Sequence, residues 1–174
     1  MKHKSRNLPF YALLIALVLS GGVTARAQVA PAPKILAGAE LARIVPTSFY
    51  FAGQSAPTQV RNASAAMLGK DRYVVVGMVD TSGYSTEISG KYEGFLITDS
   101  PITIGDRELP TGAYGFGFTA DGRINIFDLS SKEILSTKTQ NDVAMRRPRP
   151  LMMATEGRNV RLYKGKNYVL IAPK

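Results

Sequence analysis

Asp80, Glu87, Glu93, Asp99, Asp106, Glu108, Asp121 and Asp128 are the side chains of this 174-residue sequence with most to offer a reaction. Two carboxyls about 5 to 10 Å apart can act as acid and nucleophile in glycoside cleavage. Carboxylate oxygens can also hold calcium. Most of the eight, however, stand beside predicted turns, where an aspartate accepts backbone hydrogen bonds, and no calcium-loop spacing occurs among them.

Composition removes most other chemistry. The sequence has no Cys and no Trp, and its one histidine is His3. That residue lies in a segment patterned as a secretory signal peptide over 1–27. Lys2, Lys4 and Arg6 make a positive start, Leu8 to Ser20 an apolar run, and Gly21 to Ala27 a small-residue stretch ending Ala25-Arg26-Ala27. Cleavage before Gln28 leaves 147 residues with no imidazole and no thiol. Ser-His-Asp and Cys-His centres are then excluded, as are histidine-based zinc, copper and haem sites. No cofactor or metal is expected. A lipid anchor would need a cysteine. An uncleaved membrane anchor would need about 20 apolar residues, whereas the run from Leu8 to Ser20 has 13, with Pro9 near its start. The expectation is an exported protein, periplasmic or secreted, with no transmembrane span after cleavage.

Gly53-Gln54-Ser55-Ala56-Pro57 has the outline of a nucleophile elbow, but Pro57 replaces the final glycine and no histidine could serve the serine. It reads as a loop. No Ser-x-x-Lys occurs.

Charge is divided unevenly along the chain. Residues 28–130 hold eight basic and ten acidic side chains, whereas residues 131–174 hold ten basic and three acidic. The densest run is Arg146-Arg147-Pro148-Arg149-Pro150. With Arg161, Lys164 and Lys166, its arginines are the candidate contacts for an anionic partner: lipid headgroups, lipopolysaccharide phosphates or an acidic glycan. The competing reading is a solvated loop held extended by its prolines. Nucleic acid is not expected, because export separates the protein from it and no recognisable binding motif is present.

The elements that must position these groups read as mostly β. Arg72 to Val79 is a strand whose continuous Val74-Val75-Val76 implies cover on both faces. Tyr92 to Thr98, Ile102 to Ile104 and Arg107 to Leu109 follow. In Gly112 to Phe118, Tyr114, Phe116 and Phe118 alternate with Ala113, Gly115 and Gly117, which gives one aromatic face and one bare face. The bare face admits either a ligand or a close-packed neighbour. Asp121-Gly122 turns the chain into Arg123 to Asp128. Val160 to Tyr163 and Tyr168 to Ala172 form a second hairpin around Lys164-Gly165-Lys166-Asn167. In that hairpin Arg161 and Tyr163 make either a sugar-binding stripe or the wet side of a sheet. Helix is confined to Ala37 to Val45, with Leu41, Ile44 and Val45 inward, and to a single turn at Asn141 to Met145.

Leu109-Pro110-Thr111-Gly112-Ala113-Tyr114 resembles the L-P-x-G-x-Y segment of exported bacterial β-domains of unknown function. The stretches Phe49 to Pro57 and Arg147 to Leu151 are similar to segments of small uncharacterised exported bacterial proteins. The resemblance implies export and a β fold and supplies no activity or site.

The expected architecture is all-β: one antiparallel sandwich or partly closed barrel over 35–174, after an extended or disordered lead-in at 28–34, with at most one or two short helices. The expected function is a non-catalytic binding or structural module of the cell envelope with an anionic partner. Two alternatives stand beside it, a carboxylate-dependent glycan hydrolase and a lipocalin-like carrier of a small apolar ligand.

Overall fold

The computed structural model describes residues 32–174, so the proposed leader and residues 28–31 of the lead-in lie outside it. The chain runs β1 (Lys34–Leu36), α1 (Gly38–Ile44), β2 (Ser48–Phe51), β3 (Gln54–Gly69), β4 (Arg72–Val79), α2 (Thr86–Ser89) and β5 (Gly94–Thr98). It continues through β6 (Ile102–Ile104), β7 (Arg107–Leu109), β8 (Gly112–Phe118), β9 (Arg123–Phe127) and β10 (Glu133–Lys138). The last strands are β11 (Gln140–Asn141), β12 (Arg149–Glu156), β13 (Asn159–Gly165) and β14 (Asn167–Pro173).

The first sheet has the order β1-β3-β4-β5-β8-β9-β10, with β2 added along β3. The second is β12-β13-β14-β6-β7, with β11 on β14. All the pairings are antiparallel. The two sheets are an all-β sandwich and are not closed into a barrel. A barrel needs one continuous hydrogen-bonded ladder, whereas here β10 and β12 end their own sheets. Between β3 and β12 a side chain bridges instead: the Met153 amide donates to the buried Ser64 hydroxyl at 3.2 Å.

The shared core lies between the sheets. Val74, Val76, Leu96, Phe116, Ile124 and Ile126 face Ile102, Ile104, Leu109, Val160, Leu162 and Ile171, all buried. The first sheet has a second apolar face, where Val75, Phe95 and Phe127 are covered by Val45, Phe49, Phe51, Tyr84 and Tyr92. Phe51 stacks on Tyr92 with ring centroids 3.9 Å apart, and Phe49 on Phe95 at 5.0 Å. This double cover is what the unbroken valine run of β4 requires, since alternate valines serve different layers. α1 belongs to the covering layer, with Leu41 and Ile44 packed against it.

The bare face of β8 is filled by the same layer. A Cβ on Gly115 would collide with the Phe51 ring, and one on Gly117 with the Lys91 carbonyl. Close packing, not a ligand, occupies that face. On the other face Tyr114 and Phe116 are buried in the inter-sheet core. Phe118, next on that face, is only partly buried against it.

The L-P-x-G-x-Y segment has a local physical account. Leu109 is buried at the end of β7, and the Tyr114 hydroxyl returns to donate to the Pro110 carbonyl at 3.0 Å. Gly112 gives the ring its room, because a Cβ there would lie 2.7 Å from the tyrosine oxygen.

Of the segment Gly53 to Pro57, read as a loop, only Gly53 lies in a turn. Gln54–Gly69 is a 16-residue strand whose first residues pair with β2, Phe51 opposite Gln54 and Phe49 opposite Ala56. Ala52 and Gly53 form the two-residue turn, both at positive φ, and the Tyr84 hydroxyl lies 3.1 Å from the Phe51 and Gln54 carbonyl oxygens. Alternation in this strand is interrupted by small and polar residues, which hid it from a period-2 reading. Lys34, assigned to the lead-in, stands in β1 opposite Met67.

Candidate functional site

Each of the eight carboxylates is engaged by its own neighbour. Asp80 accepts the Ser82 amide, Asp99 the Tyr73 amide and Asp106 the Thr137 hydroxyl. Asp128 accepts from Ser130 and from the Lys132 amide, and Asp121 is bonded by the Thr119 side chain. Glu87, Glu93 and Glu108 pair with Lys91, Lys164 and Lys174. Hydrogen bonds at the Asp80, Asp121 and Asp128 turns hold these carboxyls below their ordinary range, the direction opposite to that of a general acid. No group of three His, Cys, Asp or Glu side chains suited to a metal is present among the described residues.

The six candidate cations divide into two sets. Arg161 and Lys164 are spent inside the protein. Lys164 pairs with Glu93, which also accepts the Phe118 amide, so this contact ties the second sheet to the first. Arg161 grips Glu156 through Nε at 2.7 Å and through Nη2. Its Nη1 donates to the Tyr163 hydroxyl at 3.1 Å and lies 3.6 Å from the Asp142 carboxylate. The guanidinium sits 4.5 Å from the centroid of the Tyr168 ring, within range of a cation–π contact.

That network lies on the face expected to be a binding stripe or a wet surface, and it is neither. Tyr163 and Tyr168 are buried, and Tyr163 donates to Asp142 at 3.0 Å while Tyr168 donates to Gln140 at 2.6 Å. Gln140 belongs to β11, which pairs edge to edge with β14 and places Gln140 opposite Tyr168, and Asp142 follows it directly. Asp142 therefore clamps the foot of the 142–148 connection. Its other oxygen accepts the Ala144 amide, and its carbonyl accepts the Met145 amide, so a β-turn over 142–145 stands where a helical turn was expected, and Asn141 belongs to β11.

Arg146, Arg147, Arg149 and Lys166 are exposed, and none forms an ion pair among the described residues. Val143, 84% exposed, stands on the same connection. Arg149 pairs with Gly165 across β12 and β13, next to Lys166 in the β13–β14 turn. The result is an exposed basic segment that also carries an exposed apolar side chain.

A cleft of about 630 Å³ opens elsewhere, between the β6–β7 turn and the edge made by β9 and β10. Arg107, Arg123 and Lys138 line it together with Asp106, Ser136 and Thr137. None of these three cations was singled out by the sequence. They converge only through the β9–β10 register and the packing of β7 near β10, and β10 itself carries a bulge that blurs its alternation.

Comparisons with protein-family models, curated proteins and solved structures gave no match for this chain.

Proposed function

We propose that this protein is an exported, non-catalytic binding module of the cell envelope, which meets an anionic envelope component through the basic segment at 143–149. The observation that carries this reading is the exposure of Arg146, Arg147 and Arg149 without carboxylate partners, on a connection whose foot is fixed by Asp142, Tyr163 and Arg161. Arginine forks suit phosphate and carboxylate oxygens, which they can bind through two parallel hydrogen bonds. Near an anionic surface each such residue contributes about 1 kcal/mol, attenuated by salt. Val143 adds an apolar contact of the kind that peripheral proteins press into a headgroup layer. Pro148 and Pro150 restrict the segment, which lowers the entropy lost on docking.

The test is retention on envelope fractions at low and high salt. Wild type is expected to bind at low salt and to release at high salt, while R146S/R147S/R149S fails to bind at low salt. Equal retention of the two proteins in both conditions would overturn the proposal and leave the segment as a solvated loop.

A further inference from the structure

We infer that the cleft between the β6–β7 turn and the β9–β10 edge binds an acidic saccharide, a sugar bearing a carboxylate or phosphate group. This inference is independent of the basic segment proposed above. Arg123 and Lys138 are directly opposed in the β9–β10 ladder, and like charges at opposed positions are destabilising. Neither has a carboxylate within 4.0 Å among the described residues, and residues 1–31 contain no Asp or Glu. An anion between them would turn this repulsion into two attractions.

Arg123 is also held in place. Its Nε donates to the Ser136 hydroxyl at 2.8 Å, and Ser136 in turn donates to Asn125 at 2.7 Å. No described residue takes up its Nη1 or Nη2, so the outer fork of the guanidinium stays open for a bidentate oxyanion. Arg107 adds a third cation to the lining.

The opposite wall carries a different chemistry. Asp106 receives the Thr137 hydroxyl on Oδ1 at 3.0 Å, and its Oδ2 has no hydrogen-bond donor among the described residues. A carboxylate in the same lining as three cations disfavours a bare polyanion but accepts a sugar hydroxyl. The pairing of an open guanidinium fork with a free carboxylate oxygen therefore selects a ligand with an anionic group and neighbouring hydroxyls. The volume of about 630 Å³ lies inside the range of about 300 to 1,000 Å³ usual for small-molecule sites.

The experiment follows the amides of Gly105, Gly122 and Thr139 by NMR while the exported chain is titrated with three probes. These are an oligogalacturonate, a neutral oligosaccharide of equal length and inorganic phosphate. The acidic sugar is expected to shift these amides saturably, with the other two probes at least about tenfold weaker, the loss expected for one charge-assisted hydrogen bond. R123Q and K138Q should each weaken the acidic sugar by about tenfold or more and leave retention on envelope fractions unchanged. D106N should narrow the gap between sugar and phosphate. If R123Q perturbs folding through Ser136, R107Q carries the same expectation from the rim. No shift with the acidic sugar, equal binding of phosphate, or wild-type affinity in the variants would overturn the inference. The titrations do not bear on the basic segment, whose own variant is read on envelope fractions.

Discussion

At the scale of single residues, the polar groups that looked available for chemistry are mostly engaged in holding the fold. Tyr114 shows how. Its hydroxyl is hydrogen-bonded to Pro110 and burial pushes its pKa up, so Y114F should lose about 1 kcal/mol of stability in denaturant titrations, the net value of one such bond. Glu156 gives a pH prediction. Hydrogen bonding from Arg161 lowers its carboxyl below the ordinary range. A depressed folded-state value means that the stabilisation is complete above the ordinary carboxylate range and disappears as the pH falls through the depressed value. Melting temperatures measured from about pH 6 to about pH 3 should fall less in E156Q than in wild type, because the variant has already lost this pair. An identical acid slope in the two proteins would show that the Glu156–Arg161 contact contributes nothing. Sequence spacing placed Arg161 and Tyr163 on one side of a strand, and that was right. It could not show that Gln140 and Asp142 meet these side chains, because that contact is set by the pairing of β11 with β14.

At the scale of elements, legibility followed periodicity. β4, β6 and β7 match their sequence bounds because valine runs, Pro101 and Gly105-Asp106 mark them sharply. The terminal hairpin is tighter than expected, with Lys164 opposite Asn167 and Gly165 at positive φ in the turn. β3 and β12 escaped notice: the first mixes Ala, Ser, Asn and Gln with its apolar residues, and the second begins inside the Arg-Pro run. The glycines of β8 were visible, but what fills the space over them was not, since Phe51 arrives from β2 and Lys91 from the connection after α2. G117A should therefore cost about 1 to 3 kcal/mol by overpacking, because the obstructing atom is a backbone carbonyl. Equilibrium unfolding would check this, and a change below about 0.5 kcal/mol, the usual range for surface substitutions, would mean that the covering layer yields easily.

At the scale of the whole molecule, one sheet is coated on both faces while the other carries the charged and phenolic network on its outer side. The coating explains how a chain without cysteine holds together: aromatic rings from β2 and from the connection around α2 form a second core. The charge imbalance read from the sequence survives folding only in part. Arg161 and Lys164 are neutralised by Glu156, Asp142 and Glu93, which leaves the 146–149 arginines and Lys166 facing outward. The fold class was legible because alternating strands and turn residues dominate the chain. The candidate surface was legible as a composition and only half legible as a set of residues, since pairing partners lie far away in sequence.

Binding of the protein to lipid vesicles, with and without anionic lipid and across a salt series, tests the central claim most directly. Wild type is expected to bind only the anionic vesicles and to weaken steadily as salt rises. R146S/R147S/R149S should lose that binding while R123Q retains it. Equal binding to neutral vesicles, or anionic binding that survives loss of the three arginines, would contradict the account.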